Sequence, residues 1–286
     1  MMLEVQSLQK SFDTSSGPLN VISDVSFSVA AGELVSIVGP SGAGKTTLLR
    51  CISGLMQPTS GSVELVGSPV LAPPKEMACV FQDYSRSLFP WFKVQRNVEL
   101  PLYNKFKSTA ERKERVRRAL SEVGLTGFEN SYPWQLSGGM QQRVAIARGL
   151  AYEPSVLLMD EPFASVDAQT RADLEDLVLK VRDDLGITIV LVTHDIDEAV
   201  YLSDRVVVMS ARPSTVVEVL PVDLPRGRDQ ISTKEIPRFA ELRSHVLTLI
   251  RSRGDREPVG PPSSSDETIA PHQLAPHSES HPGAQP

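Results

Sequence analysis

A glycine-rich loop between an apolar run and a helical segment constrains this chain more than any other feature. Residues 39–46 read Gly-Pro-Ser-Gly-Ala-Gly-Lys-Thr and fit the phosphate-binding loop G-x-x-x-x-G-K-[ST] at every fixed position. The glycines allow a tight turn whose backbone N–H groups point inward at an anion. The predicted phosphate-binding residues are Gly39, Pro40, Ser41, Gly42, Ala43, Gly44, Lys45, Thr46 and Thr47. Lys45 is placed to reach the β- and γ-phosphates, and the Thr46 hydroxyl is available to Mg²⁺.

The segments on either side of the loop support this interpretation. Leu34–Val38 is a short apolar run that predicts a buried strand, and residues 47–52 predict the first turns of a helix. In this order of strand, loop and helix, the N-terminus of the helix faces the phosphates. The sequence therefore predicts a site for a nucleoside triphosphate, without indicating how its energy is used.

Composition fits an ordinary soluble protein with a sizeable core. Its 286 residues are enough for one large α/β domain, or for one domain with a subdomain. Hydrophobic residues make up 41% and charged residues 22%, and the net charge of -6 argues against nucleic acid as the main partner. Cys51 and Cys79 both lie in apolar runs, which favours buried reduced thiols over a disulfide or a metal site.

The pattern of apolar runs gives no sign of a membrane span. The longest runs, such as Ile187–Val192, have the length of a strand and fall well short of the roughly 18 residues that a span requires. The N-terminal residues 1–4 lack the basic and apolar regions of a signal peptide. We expect a cytoplasmic protein that could still sit on a membrane through a partner.

The N-terminal third is rich in strand signals. Leu3–Val5 and Val25–Val29 alternate as half-buried strands do, whereas the polar Asp13–Asn20 segment predicts a turn or loop. Residues 63–66 and 78–81 predict two further short strands.

Between about residues 83 and 155 the strand patterns cease, which predicts a helical subdomain inserted into the α/β core. Ser108–Glu111 has the form of a capping box and opens a helix that continues to about Val123. The many arginines of this helix could form a nucleic-acid patch. We favour a solvated face, because glutamates are interleaved with them.

Alternation of strands and helices returns after the helical insert. The predicted strands are Val156–Met159, Ile187–Val192, Val206–Met209 and Val216–Leu220, and the predicted helices are Ala168–Leu185, Ile196–Leu202 and about Lys234–Arg253. One α/β domain is thereby assigned to residues 1–253. Residues 254–286 are rich in Pro, Ser and His, which predicts a disordered tail; weak metal binding by its histidines is the less favoured alternative.

A second element for nucleotide chemistry lies at Val156–Glu161, where four apolar residues are followed by two acids. This pattern matches a buried strand that delivers carboxylates to its C-terminal edge. Asp160 could hold Mg²⁺ through its water shell. Glu161 could polarise an attacking water as a general base. An apolar run before two acids is common by chance, but together with the phosphate loop it is strong support.

A third element, Leu136–Arg143, reads Leu-Ser-Gly-Gly-Met-Gln-Gln-Arg. Ser137 is a natural helix N-cap, and Gly138 and Gly139 open the backbone at the start of the helix. A helix N-terminus with free amides and a hydroxyl is a second anion site. Two phosphate half-sites in one chain suggest that two copies meet head to tail, each completing the other's site.

In their order and spacing these elements resemble the ATP-binding subunit of an ABC transporter over about residues 2–220. The resemblance implies an α/β fold with a P-loop NTPase ABC-type ATPase core, an antiparallel β subdomain and an inserted helical subdomain. Residues 39–46 correspond to the Walker A motif, Val156–Glu161 to Walker B and Leu136–Met140 to the signature motif. Met140 stands where glutamine is commoner in the family, and Ser165 where the D-loop more usually has alanine.

The resemblance also implies roles for three scattered residues. Gln82 matches the glutamine that contacts Mg²⁺ and water and links to the transmembrane partner. His194 matches the histidine that contacts the γ-phosphate, and Phe12 stands where the family stacks an aromatic ring on adenine. Taken singly, each residue has a structural alternative. Gln82 could be a solvated strand end, His194 a hydrogen-bonded histidine in a turn, and Phe12 a core residue.

The segment from Val80 to Trp91 resembles ATPases of importers for nitrate, sulfonates, taurine and related small anions, in which Pro-Trp after the glutamine is typical. An apolar cluster follows the glutamine and consists of Leu88, Phe89, Trp91 and Phe92. It could form a groove that accepts a short helix of a membrane subunit. The alternative is that it forms the core of the helical subdomain; we favour the groove for the cluster as a whole.

The resemblance implies an ATPase that uses ATP and Mg²⁺ and works as a dimer, with itself or a close relative, on the cytoplasmic face of the cell membrane. Its partners would be a second copy, transmembrane permease subunits and, indirectly, a solute-binding protein, with no nucleic acid. A soluble ABC-type ATPase acting on nucleic acid or ribosomes is the competing hypothesis. A phosphate-loop kinase of small molecules would leave Leu136–Met140 unexplained.

Overall fold

The core of the molecule is a mixed β-sheet. The structure is a computed structural model that describes residues 1–82 and 87–252, and within these ranges ten strands follow the order β5-β4-β1-β2-β10-β9-β3-β8-β7-β6. The strands are β1 (Leu3–Thr14), β2 (Gly17–Val29), β3 (Leu34–Val38), β4 (Ser60–Leu65), β5 (Ser68–Pro69), β6 (Met77–Val80), β7 (Val156–Asp160), β8 (Thr188–Val192), β9 (Arg205–Met209) and β10 (Ser214–Pro221).

Helices cover both faces of the parallel part of this sheet. The helices of the described residues are α1 (Lys45–Ile52), α2 (Val94–Glu99), α3 (Thr109–Glu122), α4 (Gly138–Ala151), α5 (Ala168–Leu185), α6 (Ile196–Leu202), α7 (Ser232–Glu235) and α8 (Pro237–Ser252). Short 3₁₀ turns occupy Leu100–Asn104 and Pro133–Gln135. None of the helices in the described ranges has the length and apolar character needed to cross a membrane.

Strand β3 lies in the parallel part of the sheet, between β8 and β9. All five of its residues are buried, because helices cover both of its faces. Leu34 and Val38 belong to one buried apolar cluster, whereas Val35 and Ile37 belong to the cluster on the opposite face. This is the alternation that a strand imposes on successive side chains. The α/β fold expected from the sequence is confirmed.

The antiparallel part of the sheet corrects one prediction. Asp13–Asn20, expected to be a loop, is mostly strand, since Phe12 pairs with Leu19 and Asp13 with Pro18 across β1 and β2. The chain reverses only at Ser15 and Ser16. The side chains at these strand ends are exposed on both faces. Backbone hydrogen bonds therefore pair β1 with β2 here, although the sequence has no alternating apolar residues.

The described residues between β6 and β7 are helical, and α3 begins where the capping box predicts. The Ser108 hydroxyl accepts a hydrogen bond from the Glu111 N–H at 3.3 Å. The expected solvated face is wrong for one residue, Arg112, which is buried and donates to the backbone carbonyls of Phe106 and Lys107. These carbonyls precede α3, so Arg112 acts as a brace for the start of the helix.

The C-terminal segment, predicted as a single helix, consists of two helices within the described residues. Ile236 is extended and separates α7 from α8, and Pro237 begins the new helix. Proline lacks a backbone N–H and cannot continue a helix, but it fits the first turn of one. Arg253, the tail at 254–286 and residues 83–86 of the segment after Gln82 lie outside the described residues.

A buried asparagine organises the aromatic segment at residues 89–93. The Asn97 side chain accepts from the Phe89 N–H at 2.8 Å and donates to the carbonyls of Phe89 and Phe92 at 3.1 and 3.0 Å. Trp91 remains 66% exposed, whereas Leu88 is buried. The apolar cluster of the sequence is therefore divided between the core and the surface.

We expect Asn97→Ala to lower the free energy of unfolding by about 2–3 kcal/mol, because it leaves an amide and several carbonyls of a buried loop without partners. Gln95→Ala, on the exposed side of the same helix, is the matched control and should have little effect. Urea denaturation of both variants measures the difference. Equal midpoints for the two variants would contradict the bracing role.

Candidate nucleotide-binding site

The glycine loop follows β3 and leads directly into α1. Gly42 and Gly44 have φ angles of +76° and +86°, in the left-handed region that favours glycine. The Lys45 ammonium lies inside the loop and donates to the carbonyls of Gly39 at 2.9 Å and Pro40 at 3.1 Å. Burial lowers the pKa of Lys45, against the opposing charges of Glu161 and Asp160. The loop thus holds a buried cation at its centre.

Strand β7 brings a carboxylate to the same edge of the sheet. Asp160 is its last residue and is 4% exposed, and its Oδ1 accepts a hydrogen bond from the Thr46 hydroxyl at 3.2 Å. Burial raises the pKa of Asp160, and the Thr46 hydrogen bond opposes that rise. A hydroxyl and a carboxylate in contact are hard oxygen donors of the kind that Mg²⁺ prefers, so these residues fit the expected metal.

Glu161 is held in an unusual backbone conformation at the end of β7. Its φ is +45°, which is uncommon for a residue with a side chain, and its N–H donates to the Val192 carbonyl at 2.8 Å. Strained residues of this kind cluster at active sites. Here the turn directs Glu161 into the cleft beside the loop, which it lines.

Two of the predicted residues converge on Glu161. The Gln82 amide donates to Glu161 Oε2 at 3.1 Å, and His194 Nδ1 lies 3.1 Å from the same oxygen. Gln82 follows β6 and His194 follows β8, so the two strands that flank β7 deliver them. The carboxyl ends of these parallel strands meet at one edge of the sheet, which is where ligands bind in sheets of this kind.

A cleft of about 630 Å³ opens above the loop. It is lined by Val21, Ser41, Gly42, Ala43, Gly44, Lys45, Thr46, Thr47, Glu161, His194 and Arg212. Its size is that of a pocket for a ligand such as a nucleotide. Phe12 does not line it: the ring packs on the core beside Lys10, whose ammonium lies 5.2 Å from the ring centroid.

The residues Ser137, Gly138 and Gly139 do not line this cleft either. The Ser137 hydroxyl accepts from the Met140 N–H at 3.3 Å and caps α4, while Ser137 and Gly138 are exposed. Gly139 is buried against α5, where an added Cβ would lie 2.2 Å from Thr170 Cγ2. Within one chain, the helix start therefore presents its amides to solvent instead of to the cleft.

Two lining residues, Val21 and Arg212, are absent from the sequence-based predictions. Val21 packs on the loop, since a Cβ added at Gly44 would lie 2.6 Å from Val21 Cγ1. Arg212 lies between β9 and β10. Neither belongs to a contiguous motif, so only the strand order could have indicated them.

The contact with Val21 leads to a prediction about Gly44. Gly44→Ala should reduce nucleotide affinity and lower the free energy of unfolding by about 1–3 kcal/mol, because a left-handed residue gains a Cβ that meets a stiff β-branched side chain. Gly42→Ala is the control, since its φ is similar but nothing lies within 4 Å of the added Cβ. Thermal unfolding should rank Gly44→Ala as the more damaging change. The reverse order would contradict the contact.

Comparisons with known proteins agree with this geometry. A family model described as ABC transporter matches residues 22–164. An uncharacterized ABC transporter ATP-binding protein of Methanocaldococcus jannaschii is 46% identical over 87% of this chain and 91% of its own length. A nitrate import ATP-binding protein of Synechococcus elongatus is 42% identical, covering 88% and 92%. An aliphatic sulfonates import ATP-binding protein of Bacillus cereus is 40% identical, covering 86% and 95%.

A solved structure is similar over most of its length. It is the dimeric post-hydrolysis state of an ATP-binding cassette bound to ADP and Pi. The likeness has a TM-score of 0.68 at 33% sequence identity, and it covers 77% of this chain and 99% of that one. The phosphate loop, α4 and β7 all lie within residues 22–164, which the family model matches.

Proposed function

The chain belongs to the ABC transporter family, and on this basis we propose that it energises a membrane importer for nitrate, a sulfonate, taurine or a similar small anion. It is an ATPase. The observation that carries the hydrolytic part of the proposal is the convergence of Gln82 and His194 on one oxygen of Glu161, beside the contact between Thr46 and Asp160. A carboxylate that is oriented from two strands is suited to position and deprotonate a water.

The residues of the cleft divide the work of hydrolysis. Lys45 and the loop amides bind the β- and γ-phosphates, and Thr46, Asp160 and Gln82 would hold Mg²⁺. The metal, when bound, neutralises charge on the phosphates. Glu161 accepts the proton of the attacking water, while His194 and Gln82 fix its carboxylate and contact the γ-phosphate. Phe12 would stack on adenine through its exposed part.

The site is completed by a second copy of the chain. The exposed helix start at Ser137 and Gly138 carries free amides that suit a phosphate, but it does not reach its own chain's cleft. We propose that it caps the nucleotide bound by the partner copy, so that two ATP molecules lie between two chains. The dimeric cassette with ADP and Pi supports this arrangement. Hydrolysis then removes the charge that holds the two copies together.

The transported solute and the membrane partner are inferred from similarity. The nitrate and sulfonate import names of the relatives support a small anion as solute. Trp91, exposed beside the braced Phe89 and Phe92, supports a surface that receives a helix of the permease. The protein would then sit peripherally on the cytoplasmic face of the membrane, with a solute-binding protein as an indirect partner.

Purification of the native protein from membranes tests this proposal. We expect a permease subunit to co-purify, and ATPase activity of the complex to rise when a binding protein loaded with nitrate or a sulfonate is added. The competing hypothesis, a soluble ATPase of nucleic acid or ribosomes, is not favoured by the relatives or by the net charge of -6. Recovery with ribosomes or DNA and without a membrane subunit would overturn the proposal.

A further inference from the structure

Arg212 lies in the loop between β9 and β10, at the same edge of the sheet as the phosphate loop. Strand β9 runs parallel to β3, with Val208 paired to Val38, so both strands end at this edge. The phosphate loop also touches the end of β9, since a Cβ added at Gly39 would lie 2.8 Å from the Met209 carbonyl oxygen. Arg212 therefore belongs to the wall of the cleft through the topology of the sheet.

The loop that carries Arg212 is tied at both ends. The Ser210 N–H donates to the Thr215 carbonyl at 3.0 Å, and the Thr215 N–H donates to the Ser210 hydroxyl at 2.9 Å. The Ser214 hydroxyl donates to the carbonyl of Val21 at 3.2 Å, and Val21 in turn packs on Gly44. Arg212 is thus held in a defined position relative to the phosphate loop.

The charges around the cleft leave Arg212 available to a ligand. Its side chain lines the cleft, is exposed and makes no hydrogen bond or ion pair within the described part of the chain. The other cation among the lining residues is Lys45, which is already held by two carbonyls and faces the charge of Glu161. Arg212 consequently adds an uncompensated positive charge to the cleft.

We propose that Arg212 binds the β- or γ-phosphate of the nucleotide held by its own chain. A triphosphate carries more negative charge than Mg²⁺ and one lysine neutralise, and a guanidinium offers a planar fork of donors that matches phosphate oxygens. Because the loop backbone is already tied, only the Arg212 side chain has to be ordered when it binds, which limits the entropic cost. The inference rests on the proposed nucleotide site and extends it by one residue.

Titration calorimetry with ATP, ADP and AMP tests the proposal on the full chain at concentrations where it is monomeric. Arg212→Gln should raise the Kd for ATP about tenfold, in the range of a charge-assisted hydrogen bond, and should affect AMP least. The Kd of Arg212→Lys for ATP should lie between those of Arg212→Gln and the wild type. Arg251→Gln, an exposed arginine on α8, is the matched control and should leave the Kd unchanged. In steady-state kinetics, the KM should rise more than kcat falls.

The possible failures are distinguishable. If the wild type binds ATP and Arg212→Gln binds it equally well, the inference is wrong while the proposed function stands. If Arg212→Gln lowers ATP affinity only when the chain dimerises, Arg212 contacts the nucleotide of the partner copy, and the proposal is also overturned. An equal loss for AMP and ATP would place the contact away from the β- and γ-phosphates and contradict it. If the wild type itself binds no ATP, the proposed function fails first.

Discussion

Glu161→Gln is expected to reduce the rate of ATP hydrolysis by about 10²–10⁴-fold while leaving ATP binding intact. The substitution keeps the shape of the side chain but removes the charged oxygen that accepts the proton of the water. A loss of this size is usual when a general base is removed. Gln82 can still hydrogen-bond to the new amide oxygen, so the surrounding geometry is retained. The variant should accumulate with ATP bound.

Phosphate release and nucleotide retention measure the two effects separately. Glu241→Gln, an exposed glutamate that pairs with Arg238 on α8, is the matched control and should behave as the wild type. If Glu161→Gln hydrolyses ATP at the wild-type rate, Glu161 is not the base. If it loses ATP binding as well, its main role is in binding instead of chemistry.

Lys45→Ala has the second large expected effect, a loss of ATP affinity of about 100-fold or more. The change removes the buried cation at the centre of the loop, and its charge-assisted hydrogen bonds to phosphate are the strong kind. It also leaves the carbonyls of Gly39 and Pro40 without their donor. ATP hydrolysis should disappear with binding.

Equilibrium binding and circular dichroism together check this result. Lys113→Ala, an exposed lysine on α3, tests whether any loss of a lysine weakens binding. The far-ultraviolet spectrum of Lys45→Ala should match that of the wild type, so that lost binding is not lost folding. Wild-type affinity in a folded Lys45→Ala protein would contradict the assignment of the phosphate loop.

The contiguous parts of the site could be predicted because each one is local. The loop at 39–46 and the capping serine of α4 carry their chemistry within a few residues, and Val156–Glu161 combines a buried strand with its terminal acids. The roles of Gln82 and His194 followed only from the resemblance. Their hydrogen bonds to Glu161 were not predicted, because these contacts join three separate strand ends. Arg212 and Val21 could not be predicted, since their place in the cleft depends on β9 and β10 lying next to β3 and β2.

The errors in the fold have a similar cause. Asp13–Asn20 has the composition of a loop, but backbone pairing between β1 and β2 extends the ribbon where no side-chain pattern marks it. Arg112 looks like a surface residue of α3, yet its guanidinium is drawn to the carbonyls that precede the helix. Composition and periodicity of the sequence do not predict long-range backbone pairing or contacts at the end of a helix.

The central claim is that Ser137 of one copy lies over the phosphate loop of the other, and disulfide trapping tests it most directly. One chain would carry Ser41→Cys and another Ser137→Cys, both with Glu161→Gln to retain ATP. The native Cys51 is buried and Cys79 half-buried, and each single-cysteine variant alone is the control. With Mg²⁺ and ATP, the mixture should form a covalent pair of chains that neither variant forms by itself, although each variant also contains the two native cysteines. Bound ATP without any such pair would contradict the two-chain site.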